Sequence, residues 1–163
     1  MQGIKLLTFS LLVGASCSTS GKSIYSGEFD YRKFQPSASY FAGHKAKDVA
    51  HLCATGEHAS TSDMEQCAHR GFEKADKDLA QQLATTTAVF ATADIDAKGD
   101  YEPQALPYLK NAESAWEKYR DDTCYAFAYA AGPATARYIN FWDCMTSITQ
   151  ARTNELNRLL KNQ

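Results

Sequence analysis

Residues 61–93 read TSDMEQCAHRGFEKADKDLAQQLATTTAVFATA, and their pattern decides the fold class. Met64, Ala68, Phe72, Ala75, Leu79, Leu83, Thr86, Phe90 and Ala93 recur at steps of three and four. Side chains at that spacing share one face of an α-helix, so the stretch is an amphipathic helix of about thirty residues. Thr61 or Ser62 can cap its start, and Asp63 and Glu65 suit the positive end of the helix dipole. The polar run from Asp94 to Glu102, with Gly99 as a break, ends it.

Toward the C-terminus the same period returns twice. Pro103 suits a first helical turn, and Leu109, Ala112, Trp116, Arg120, Thr123 and Phe127 form the next stripe. Gly132-Pro133 breaks the chain, after which Tyr138, Phe141, Met145, Ile148, Arg152, Leu156 and Leu159 form the third. Toward the N-terminus, a short helix is expected through His44 to Cys53, stopping near Thr55-Gly56. Nothing alternates with period two, and no segment repeats. The reading is an all-α, small antiparallel bundle of three long helices plus a short N-terminal helix.

The chain has 163 residues, enough for one domain with a real core. Its 17 Lys and Arg nearly balance 19 Asp and Glu, a formal net charge of -2. That excludes a general nucleic-acid binder, which shows a basic excess or stripe.

Residues 1–16 read as a signal peptide: Lys5, then the apolar Leu6 to Val13, then the small Gly14-Ala15-Ser16. The apolar stretch is far short of the roughly 20 residues a membrane-spanning helix needs. Cys17 follows directly, where a lipoprotein signal peptidase leaves its acceptor cysteine. Lipidation there would leave four of the five cysteines, enough for two bridges. Gly14 stands where a lipobox usually has leucine, so ordinary signal peptidase cutting near Ala15 or Ser16 stays open as the alternative. Residues 17–42 are expected to form a lipid-anchored tether, with 43–163 the helical domain. Tyr25, Phe29, Tyr31, Phe34, Tyr40 and Phe41 are too many aromatics for a solvated linker, so its later part is expected to lie against the domain.

Helix geometry places the remaining cysteines. Cys124 lies about eight residues before Pro133 and Cys144 about eleven after it, which at roughly 1.5 Å per residue sets them at similar heights on facing helices. Cys53 and Cys67 flank the turn around His58 in the same way. Four cysteines allow three connectivities, and these heights favour Cys53–Cys67 and Cys124–Cys144. Each loop closed would contribute about 3 kcal/mol in the chain-entropy picture.

The chain shows no sign of catalysis. Cys53, His58, Cys67 and His69 are possible zinc ligands, but their spacing matches no finger or ribbon, and exported cysteines are usually oxidised. The expectation is no metal and no cofactor. There is no Gly-x-Ser-x-Gly elbow, no Cys-x-x-Cys and no phosphate loop. Glu113 and Glu117 are one turn apart and imitate a carboxylate pair, but such pairs usually mark a solvated face. No catalytic residue is expected.

The segment Trp116-Glu117-Lys118-Tyr119-Arg120-Asp121-Asp122-Thr123-Cys124 is more informative. Trp116, Arg120 and Cys124 share one face, and an arginine there needs a partner because an unpaired buried charge is expensive. A polar clamp beside the bridge is the structural reading. Trp116, Arg120-Asp121, Cys124, Gly132, Cys144, Thr149, Arg152 and Leu156 together resemble the signature of the LprI-type lysozyme inhibitor N-terminal domain, over about Cys53 to Leu160. The resemblance implies a bacterial envelope protein on the periplasmic side, in some members a lipoprotein, that blocks lysozyme or another wall-active protein. It identifies no inhibitory residue. A basic partner would favour an acidic contact, and the nearest candidate is the turn with Asp94, Asp96, Asp100 and Glu102. The alternative is a structural or stress-related envelope lipoprotein that inhibits nothing.

Overall fold

The computed structural model describes residues 26–99 and 102–161. Cys17 and the expected signal peptide, Tyr25 and Asp100 lie outside the described residues. Five α-helices follow in chain order: α1 (Ser37–Tyr40), α2 (Ala46–Thr55), α3 (Thr61–Asp96), α4 (Leu106–Ala130) and α5 (Ala136–Lys161), with 3-10 turns at Tyr31–Lys33 and Ala97–Gly99. No strand occurs among the described residues. The chain is an all-α bundle in which α3 packs chiefly on α5 and α4 covers another side of α5.

The helix ends follow local chemistry. Ser60 caps α3, one residue before the caps expected from sequence: its hydroxyl accepts from the Asp63 N–H at 3.1 Å, and the Asp63 carboxylate accepts from the Ser60 N–H at 2.8 Å. This reciprocal capping box satisfies two otherwise unpaired donors. Gly56, at φ 67°, closes α2. Helix α4 starts at Leu106, three residues later than Pro103 suggests, with Pro107 in its first turn instead. Having no cap of its own, α4 borrows one. The Asp94 carboxylate of α3 accepts from the Ala105 and Leu106 N–H groups at 2.6 and 3.0 Å.

Two bridges staple the helices. Cys53–Cys67 joins α2 to α3 with 5.2 Å between Cα atoms, and Cys124–Cys144 joins α4 to α5 with 5.5 Å. One core cluster gathers Phe72, Cys124, Ala128, Phe141, Trp142 and Met145, and a second gathers Leu79, Leu109 and Leu156.

The buried face of α4 is rotated from the apolar stripe read in the sequence. Phe127, assigned to the core, is exposed, while Glu113, Arg120, Asp121, Cys124 and Ala128 are buried. Leu159 on α5 is likewise exposed. A reading that scores only apolar side chains misses a face filled by charged residues. Trp116 is half-buried and Trp142 is wholly enclosed.

Residues 26–41 form a strap across the helices. Phe29 packs edge-on to Phe141 and Tyr138, each with ring centroids 5.0 Å apart, and Phe34 meets Trp142 at 5.5 Å. Such pairs contribute about 0.5–1.5 kcal/mol beyond the area they bury.

Because Trp142 carries the core and Trp116 only borders it, Trp142→Ala is expected to cost about 3–5 kcal/mol, and Trp116→Ala clearly less. Urea unfolding of both variants with the bridges intact checks the order; equal costs would contradict the packing.

Candidate functional site

Three buried polar nodes tie the strap and helices together. The first is built on α4, whose consecutive residues Arg120 and Asp121 both face inward, 5 % and 8 % exposed. Arg120 Nε and Nη2 donate to Asp121 Oδ1 at 3.0 and 2.9 Å. Nη2 also donates to the Tyr31 hydroxyl at 3.2 Å, and Nη1 lies 3.6 Å from the Asp76 carboxylate of α3. Asp121 Oδ2 accepts from Arg32 Nη2 at 2.6 Å and from the Tyr31 hydroxyl at 3.2 Å. The Arg120 guanidinium also stacks over Trp116 and Phe72, at 5.0 and 5.5 Å. Burial pushes the Tyr31 phenol above its ordinary pKa; Asp121 adds to this, while Arg120 and Arg32 oppose it.

In this node Arg120 pairs with Asp121, Trp116 stacks on the Arg120 guanidinium, and the segment held is the strap. Backbone contacts extend it. The Phe29 and Tyr31 N–H groups donate to the hydroxyls of Tyr129 and Tyr125, each at 3.1 Å, and Arg137 Nη2 donates to the Gly27 carbonyl at 2.7 Å.

The second node corrects the expectation for Glu113. It is no solvated carboxylate. Buried at 8 % exposure, it accepts from Arg152 of α5 through both Nε, at 3.0 Å, and Nη2. Arg152 Nη1 donates to Glu155 at 2.6 Å. Burial works to lower the Arg152 pKa, but hydrogen bonds to Glu113 and Glu155 outweigh it and raise it. Glu117 stays exposed.

The third node lies where α1 meets α3. Glu73 accepts from the Ser37 N–H at 2.9 Å and from the Ser37 hydroxyl, with His69 Nε2 3.7 Å away. The His69 ring stacks on Trp142 with centroids 4.0 Å apart, and burial holds its pKa below the usual value despite the Glu73 carboxylate.

The remaining sequence-derived candidates sort as follows. Thr149 is fully buried. Gly132, at φ 75°, makes the bend after α4, a conformation glycine adopts without strain. Asp94 is engaged in capping α4 with both oxygens, while Asp96 and Glu102 are exposed. Of the histidines considered for zinc, His58 is exposed and His69 buried, and both cysteines are bridged. The described residues hold no group of three or more His, Cys, Asp or Glu placed for a metal ion. The nodes hold elements together, and the one hydroxyl in them set against a carboxylate and a histidine, that of Ser37, is buried at 2 % exposure.

The family description Lysozyme inhibitor LprI matches residues 53–156. The chain belongs to this family. It is a family of inhibitors rather than enzymes. An uncharacterized protein of Rhizobium meliloti (strain 1021) is 28% identical over 106 residues, covering 63% of this chain and 76% of that protein. No solved structure matches. Within the family match lie the Arg120–Asp121 pair and the Glu113–Arg152 pair; the strap that the first of them holds lies outside it.

His69 gives a pH signature. Its folded pKa lies below the unfolded value of about 6.5, so the unfolded chain binds the proton first and stability falls as pH drops through that region. The stability difference between wild type and His69→Gln is expected to shrink from pH 7 to pH 5. Urea titrations at several pH values measure it, and a widening difference would contradict the assignment.

Proposed function

We propose that the chain is an exported, lipid-anchored envelope protein that binds lysozyme or a related wall-cleaving enzyme and inhibits it. Membership of the Lysozyme inhibitor LprI family over residues 53–156 carries the reading. Residues 1–16 serve as the signal peptide and Cys17 as the acylated residue. Among the described residues no helix is long and apolar enough to cross a membrane.

The contact we assign is the end of the bundle where α3 turns into α4. Ile95 and Tyr108 stand 71 % and 69 % exposed there, beside the acidic Asp96 and Glu102. An open cleft of about 540 Å³ lies between the helices, lined in part by Ile95, Leu106, Pro107 and Lys110. Exposed apolar groups rimmed by charge suit a protein partner, and an acidic rim speeds encounter with a basic one. Asp94 contributes to this end by holding α4 in place rather than by offering its carboxylate.

Lysis assays on whole bacterial cells, with the oxidised chain in excess, are expected to show inhibition that weakens as salt rises, because exposed charges are screened over about 8–10 Å. Asp96→Asn with Glu102→Gln should slow association more than it speeds dissociation, with Asp94 left intact to keep α4 capped. Full lysozyme activity against several lysozyme types would reject inhibition. That result would leave the structural envelope lipoprotein, a reading favoured by one observation: Arg120, Asp121 and Arg152 of the signature are all spent on internal contacts.

A further inference from the structure

The two ends of α4 are finished differently. The α3–α4 turn carries Asp96, Lys98 and Glu102, whereas the fourteen residues from Thr123 to Ala136 contain no Asp, Glu, Lys or Arg. This uncharged stretch is the tip of the α4–α5 hairpin. Phe127 is 57 % and Tyr129 37 % exposed, and Ala130, Ala131, Pro133 and Ala134 are exposed around the bend. Phe127 and Tyr129 stand on different sides of α4, and the alanines and Pro133 follow at the bend. The exposed apolar groups therefore ring the end of the hairpin, with Glu28 as the exposed charge beside them. An end so finished suits an apolar cover.

The chain enters the fold at this same end. Ser26, Gly27 and Glu28 line an open cleft of about 450 Å³ with Tyr129, Gly132 and Pro133, and Arg137 fastens the Gly27 carbonyl. From Cys17 to Ser26 a fully extended chain spans at most about 32 Å. An acyl chain on Cys17 therefore confines the tip to that distance from a bilayer.

We propose that the α4–α5 tip docks on the lipid surface, an inference that rests on the lipidation of Cys17 proposed above. The Phe127 and Tyr129 rings, Pro133 and the neighbouring alanines lie at the headgroup boundary, where amphipathic aromatics are favoured. The surface recognised is the neutral lipid interface rather than anionic headgroups. Among the described residues, Arg137 is the cation that lines the cleft at the bend, and it is buried, bonded to Gly27 and set against the Phe29, Tyr129 and Tyr138 rings, while exposed Glu28 disfavours added negative charge. With the tip on the bilayer, the α3–α4 end lies up to the length of α4, about 37 Å, away from the membrane and open to a partner.

The test uses the full mature chain in phosphatidylcholine vesicles containing lipids with nitroxide-labelled acyl chains. Two exposed sites receive an indole in separate variants: Phe127→Trp at the tip and Tyr108→Trp at the opposite end. Intact mass first establishes whether Cys17 is acylated. If it is not, the lipidation reading fails by itself, and coupling the free Cys17 thiol to a maleimide-headgroup lipid restores the anchor so that docking is tested separately. The expected result is blue-shifted, quenched emission from the added indole of Phe127→Trp and none from Tyr108→Trp, unchanged when anionic lipid is mixed in. Quenching of Tyr108→Trp instead, of neither, or of Phe127→Trp only with anionic lipid overturns the proposal. So does a blue shift without quenching in a chain that sediments as a dimer, which would give the tip to a second copy.

Discussion

Arg120 and Asp121 are neighbours on one helix, and both are withdrawn from water. A buried guanidinium without a carboxylate, or the reverse, destabilises by about 3–5 kcal/mol, so neither tolerates the loss of the other. Together they still do not satisfy themselves. Asp121 keeps an oxygen for which α4 offers no donor, and Arg120 keeps an N–H. The Tyr31 hydroxyl and Arg32 fill both needs, which requires the strap to lie across the bundle. Once it lies there, Phe29 and Phe34 complete the aromatic cluster around Phe141 and Trp142, and Ser37 reaches Glu73. The polar pair thus organises an apolar layer.

That arrangement explains why membership of the family describes a scaffold. The matched residues run from Cys53 to Leu156, the limits of the bridged and clamped core, and the best-marked side chains are consumed inside it. The contacts proposed with other molecules lie at the ends of the bundle, away from the nodes. One end pairs acidic groups with exposed Ile95 and Tyr108; the other is uncharged and adjoins the point where the chain enters.

The helices were legible because most of their buried positions are apolar and spaced at three and four. The two bridges were legible because equal heights on facing helices follow from the rise per residue. Glu113 and the inward turn of Asp121 were not, since charged residues on a buried face look identical to a solvated face until their partners, 39 residues away in the case of Arg152, are in place. Trp142 was overlooked because it widens the buried face of α5 beyond one stripe. The aromatic excess in residues 25–41 signalled packing, yet its path depends on hydrogen bonds spanning 94 and 100 residues, which no local period encodes. Asp94 looked like an exposed turn acid for the same reason, its role being set by the helix that follows.

The Arg120–Asp121 pair and the strap stabilise one another through Tyr31. A double-mutant cycle measures this directly, with Tyr31→Phe, Asp121→Asn and the double variant unfolded in urea with both bridges intact. A coupling energy of about 1–3 kcal/mol is expected between the two sites, as found for residues within one hydrogen-bonded network. Additivity to within about 0.3–0.5 kcal/mol would show that the strap and the clamp are independent, and would contradict it.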